Sequence, residues 1–255
     1  MKDWNGREIR YAVSSSGVII VEDYRDNLIM GGISNWPPLE IVQKLVGRRG
    51  QARFMEGTTG IPDKVLGYYC DLQSLNSEDA ITWSYFGVLS RRPEHLRIDF
   101  LNALCGRLNV KSGNHRCDIE LWRRLPHPDK PSLSGSEIDF SILGDEIYII
   151  GEAKWRSREG KGQGVMKNKS QIQLRKEFLE KYSSIIFGQR ESVLLYISLD
   201  LEHMSDFSSE SSSVKMRRMT WSELATIQEY PNQEEFQKYY DWKKNILEKK
   251  ERIDS

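Results

Sequence analysis

"EIDFSILGDEIYIIGEAKW", from Glu137 to Trp155, decides how this chain is read. Two runs rich in β-branched and aromatic residues, "IDFSIL" and "IYIIGEA", meet at Gly144-Asp145, which predicts a hairpin. Side chains alternate faces along a strand, so Glu152 and Lys154 share one face, roughly 6–7 Å apart along the backbone, with Tyr148 and Ile150 beside them. Gly151 and Ala153 point the other way, where small residues allow close packing against a helix. On the first strand Asp139 and Ser141 take one face, and Ile138, Phe140 and Ile142 the other. Folding across Gly144-Asp145 can bring Asp139 next to Glu152. One reading makes these charges cross-strand ion pairs on a wet face, worth little to stability. The other makes them converge on a site. Tyr148 and Ile150 make the face partly apolar, which favours the second.

The flanking segments predict an order around the hairpin. "NSEDAITW" starts a helix, with Asn76 or Ser77 as cap and acids in the first turn. "PEHLRIDFLNALCGRL" is a second helix with apolar residues at helical spacing. "RCDIELWRRL" is a strand, "SQIQLRKEFLEKY" an amphipathic helix and "SVLLYISL" an apolar strand of the buried kind. The order helix, strand, strand, strand, helix, strand predicts an α/β fold, a mixed sheet with helices on its faces. Upstream, "EIRYAV" and "GVIIVEDY" flank "SSSG" as a hairpin, and "PPLEIVQKLVG" is a short helix. Residues 48–76 lack a clear period and are read as irregular, with a short helix near Lys64. Downstream, "SDFSSESSSVKMRR" is read as a Ser-rich polar loop, followed by "TWSELATI" and a long charged helix over about 232–250. Three regions follow: 1–76, a core at 77–200, and 201–255 packed on that core.

Bulk composition excludes more than it assigns. The 255 residues carry 37 Lys+Arg against 37 Asp+Glu, so no global charge draws the chain to nucleic acid or an anionic membrane. A polyanion must be held by a local basic patch. Three cysteines (Cys70, Cys105, Cys117) form no disulfide framework and point to a reducing, cytoplasmic setting. Cys105, His115, Cys117 and His127 match no compact zinc spacing. "MKDWNGREIR" has no apolar leader run, and stretches such as "GVIIV" are too short to span a bilayer.

Two carboxylates brought together repel, and burial sharpens the repulsion. A divalent cation relieves it, and oxygen ligands of this kind suit Mg²⁺ or Mn²⁺. Lys154 beside them can orient water or neutralise charge in a phosphoryl transition state. Asp139, a turn, then Glu152-Ala153-Lys154, set in the α-β-β-β-α-β order, resembles the PD-(D/E)xK nuclease superfamily, the restriction-endonuclease-like fold. The namesake proline is absent, with Ile138 before Asp139. The resemblance covers roughly 77–199. It implies a metal-dependent endonuclease, with DNA a better substrate than RNA, and looks like bacterial restriction and defence enzymes. It implies Asp139, Glu152 and the Ala153 carbonyl as metal ligands, Lys154 as the catalytic lysine, and Glu78 completing the metal shell from the preceding helix. It also implies a positioning glutamine on the following helix, Gln171 or Gln173, with Gln173 preferred. The segment after the hairpin supplies Arg156, Arg158, Lys161, Lys167 and Lys169, and Arg175 follows one turn into the helix. These are the expected phosphate contacts. Neutral net charge favours gating by a protein partner or by self-assembly. The rival expectations are a nuclease fold that no longer cuts and serves as a binding subunit, and a protein-interaction domain attached to the core.

Overall fold

The structure, a computed structural model, describes residues 1–14, 17–45, 70–130, 134–156, 169–199 and 213–254. The readings made above for the short helix near Lys64 and for Arg158, Lys161 and Lys167 lie outside these residues. In chain order the strands are β1 (Tyr11–Val13), β2 (Ile19–Val21), β3 (Asp118–Leu121), β4 (Arg124–Pro126), β5 (Ser134–Glu137), β6 (Phe140–Leu143), β7 (Ile147–Ala153), β8 (Glu191–Ser198) and β9 (Val214–Thr220). The helices are α1 (Leu39–Leu45), α2 (Glu78–Thr82), α3 (Val88–Ser90), α4 (Glu94–Leu108), α5 (Gln171–Phe187), α6 (Trp221–Ala225) and α7 (Gln233–Asp254), with a π-helical turn, Trp83–Gly87, joining α2 to α3. A side chain at Gly87 would sit 2.3 Å from the Trp83 ring, so glycine lets the widened turn close on that indole. The chain divides into two compact units, Met1–Val88 with Asn232–Ser255, and Leu89–Pro231. The long C-terminal helix α7 therefore belongs with the N-terminal region rather than with the sheet that follows α4.

The first unit is organised around a buried polar knot. Asn27 donates to the Leu72 and Ser74 carbonyls at 2.7 and 2.8 Å, and its own carbonyl accepts from the Tyr239 hydroxyl at 2.9 Å. Lys243 donates to Asn27 Oδ1 at 3.2 Å. Burial alone pushes the Lys243 ammonium down to about 7. The β1–β2 hairpin closes over an apolar cluster of Ile9, Val21 and Leu75.

The second unit carries a five-stranded mixed sheet in the order β3-β6-β7-β8-β9. β3, β6 and β7 run antiparallel, while β8 and β9 continue parallel to β7. β7 is buried along its whole length, as an interior strand beside a parallel neighbour must be. The α/β reading with a mixed, helix-flanked sheet therefore holds. β9 replaces part of the expected Ser-rich loop: Val214 and Met216 alternate inward against Lys215 and Arg217. The turn at Gly144-Asp145 forms as expected, with Gly144 N–H donating to the Ile147 carbonyl at 2.9 Å. Register follows from it: Leu143 pairs Tyr148, Ser141 pairs Ile150 and Phe140 pairs Gly151. A Cβ at Gly151 would come within 2.0 Å of the Phe140 ring. The small residue thus accommodates a cross-strand aromatic rather than a helix, and pins this register.

Candidate active site

One step beyond the Phe140–Gly151 pair, the same register sets Asp139 opposite Glu152. The ladder stops there, and the Asp139 side chain takes over its last bond: Oδ2 accepts from the Ala153 N–H at 2.7 Å. The acid is thereby fixed against the strand that carries the other acid. The face they share is not wet. Tyr148 and Ile150 lie in a cluster with Ile172, Phe178 and Leu179 of α5, and Tyr148 stacks on Phe187 with ring centroids 3.7 Å apart. Glu152 is 1% exposed and Lys154 is 8% exposed. The solvated-face reading fails at these two residues, because α5 covers the face.

Glu152 holds a cation at each oxygen. Lys154 Nζ lies 2.7 Å from Oε1, and Arg175 Nη2 lies 2.5 Å from Oε2. The Arg175 contact is an ion pair off the hydrogen-bonding axis, since Oε2 makes no aligned hydrogen bond. Even so, the Glu152 carboxyl is pushed up to about 7. Burial is the largest cause and the charge of Asp139 the next, and Arg175 and Lys154 only partly offset them. Lys154 is fixed through its backbone: its N–H donates to the Ile197 carbonyl at 2.7 Å and its carbonyl accepts from Trp221 Nε1 at 2.9 Å. Asp139, Glu152, Lys154 and Arg175 sum to zero formal charge, so the cluster is balanced by its own side chains.

The other expected residues fall in different places. Glu78 is the first residue of α2 after the Ser77 cap and belongs to the first unit. Gln173 is exposed and closes a capping box: its Oε1 accepts from Ser170 N–H at 2.9 Å, and its own N–H donates to Ser170 Oγ at 3.2 Å. Its side-chain oxygen is thereby engaged at the helix start. Gln171 stands one turn before Arg175 on the same helix face, with a buried Oε1 that has no partner among the described residues. Arg175 is not presented at the surface as a phosphate contact: it is 1% exposed and turned inward on Glu152. Lys169 is engaged by Asp129 and Glu177 at 3.1 and 2.6 Å, and these acids hold its ammonium above the usual range. Arg156 is exposed just beyond β7. Burial pushes the Cys105 and Cys117 thiols up to about 12.

The donor set can be tested for a divalent cation. Among the described residues no group of three or more His, Cys, Asp or Glu side chains gathers as a cage. Two opposed carboxylates and the Ala153 carbonyl are an all-oxygen, incomplete set. That suits Mg²⁺, which keeps several waters and is held by one or two carboxylates. Burial first, and the Asp139 charge after it, raise the Glu152 carboxyl, and a cation placed between the acids would offset the second of these. The donor chemistry is of the kind such an ion takes, while both Glu152 oxygens are engaged by Lys154 and Arg175. Compared with known proteins, the chain matches no family model, no curated protein and no solved structure.

Proposed function

We propose that the second unit is a divalent-metal-dependent nuclease core of the PD-(D/E)xK type, hydrolysing phosphodiester bonds. The observation that carries this reading is a buried carboxylate, Glu152, within the field of the half-buried Asp139, with the Lys154 ammonium in contact with Glu152. With β4 and β5 set aside as a separate two-stranded sheet, the order α4, β3, β6, β7, α5, β8 supports the same reading. Asp139, Glu152 and the Ala153 carbonyl would hold Mg²⁺ or Mn²⁺. When bound, the ion supplies neutralisation of charge and a more acidic water. Of the two cations on Glu152, Lys154 is the more exposed, at 10% of its side chain against 1% for Arg175. It is the one able to meet a phosphodiester oxygen and steady the charge that develops there. With an ion present the balanced cluster becomes net positive and complements an anionic backbone.

The substrate in this proposal is DNA before RNA, in a bacterial defence or restriction-type role in the cytoplasm. With 37 basic against 37 acidic residues the chain has no global hold on a polyanion, so activity gated by a partner or by self-association belongs to the proposal. Among the described residues no helix is long and apolar enough to cross a membrane. A second reading, a nuclease-fold subunit that binds without cutting, is favoured by one observation: both Glu152 oxygens are already engaged by cations. Incubating the protein with supercoiled plasmid, single-stranded DNA and RNA, with Mg²⁺, Mn²⁺ or EDTA, separates the two. Cation-dependent cleavage supports the enzyme. Retardation of nucleic acid with no cleavage under any condition supports the binding subunit.

A further inference from the structure

Arg175 buries a guanidinium most of whose donors are unmet. It sits five positions into α5 among Ile172, Leu174, Phe178 and Leu179, all buried, so its backbone is held firmly by the core. Its guanidinium is 1% exposed, yet it uses a single nitrogen. Nη2 approaches Glu152 Oε2 at 2.5 Å and donates to the Glu137 carbonyl at 2.8 Å. Nε and Nη1 are buried with no hydrogen-bond partner among the described residues. Such an arginine is a poor stabiliser. A buried ion pair with unmet donors is commonly matched or improved by apolar side chains of similar volume.

What the contact does achieve is positional. Glu137 ends β5, two residues before Asp139, and Glu152 lies on β7. One nitrogen therefore ties the segment bearing the first acid to the carboxylate of the second. Lys154 holds the other oxygen of Glu152 from the more exposed side. We propose that Arg175 is a positioning residue for the divalent-cation site: it holds the Glu152 carboxylate in the orientation that faces Asp139, and it fixes the spacing of the two acid-bearing segments. It touches the ligand, not the cation or the substrate. This rests on the metal-site reading of Asp139 and Glu152. Groups that orient a metal ligand from behind commonly set metal affinity by about 10–100-fold.

The test measures Mn²⁺ binding by calorimetry, without nucleic acid, for the full chain and for Arg175→Met and Arg175→Lys, with circular dichroism to confirm the fold. Methionine keeps most of the volume and removes the donor. Lysine restores one charged nitrogen, which is all that the native contact uses. The expected result is Mn²⁺ affinity weakened by roughly 10–100-fold in Arg175→Met and close to wild type in Arg175→Lys. If Arg175→Met does not fold, Arg175→Gln takes its place with the same expectation. A folded neutral variant that binds Mn²⁺ as tightly as wild type, or more tightly, overturns the positioning role and leaves the metal site standing. Absence of Mn²⁺ binding by the wild-type chain overturns the metal site itself, and the role of Arg175 with it.

Discussion

Gly151→Ala tests the register that assembles the site. The added methyl would lie 2.0 Å from both Cε1 and Cζ of Phe140, and that ring is fully buried. Forcing extra volume into a filled core costs about 1–3 kcal/mol. Replacing a strand glycine recovers roughly 0.5–1 kcal/mol of backbone entropy. The clash wins, and the net loss is roughly 1–2 kcal/mol. For a chain of this size the melting temperature falls by roughly 2–8 °C. The assay is thermal and urea denaturation of wild type, Gly151→Ala, Phe140→Leu and the double variant. Leucine lacks the ring edge that the methyl would strike, so the double variant is destabilised by less than the sum of the singles, a coupling that only contacting residues show. Gly151→Ala as stable as wild type, or strictly additive losses, would refute the pairing of Phe140 with Gly151. The placement of Asp139 opposite Glu152, one step along the same ladder, would fall with it.

Other outcomes follow from single contacts. Gln173→Ala removes half of a capping box, so it should lower stability by roughly 0.3–1.5 kcal/mol and leave any cleavage rate unchanged. A selective loss of cleavage would instead give Gln173 the expected role in the site. Lys243, with its ammonium lowered to about 7 by burial, binds its proton less readily when folded than when unfolded. Between about pH 7 and the unfolded lysine value near 10.4 the unfolded chain therefore carries more protons, and stability rises with pH. Melting temperatures should climb from pH 7 to pH 9 in wild type, and more gently in Lys243→Met. Parallel curves would show that Lys243 keeps its charge in the fold.

Much of the site's architecture is legible in the sequence, because strand periodicity has only two faces. Glu152 and Lys154 must share one, and a two-strand turn at Gly144-Asp145 brings Asp139 beside them. What periodicity does not state is which face a helix covers, so burial of Glu152 emerges only with α5 in place. Arg175 shows how a charge can mask a pattern. Ile172, Arg175, Phe178 and Leu179 follow helical spacing, which puts the arginine on the apolar stripe of α5, although its charge suggests solvent. Gln173 shows the reverse. Ser170-x-x-Gln173 is a capping box in the sequence itself, and that local role competes with any role in a site. β9 escapes notice because the serines before it read as a loop, while the Val214-Lys215-Met216-Arg217 alternation is short.

A cleavage measurement with three side chains changed one at a time bears most directly on the proposed active site. Plasmid nicking and linearisation are followed for wild type, Asp139→Ala, Glu152→Gln and Lys154→Ala, each confirmed folded, in Mg²⁺ and in Mn²⁺, with EDTA as control. The predicted result is cleavage by wild type that EDTA abolishes and that each substitution lowers by at least about 10²-fold. Cleavage that persists in EDTA, or that survives loss of Asp139 or Lys154, would contradict the assignment of this buried hairpin as the active site.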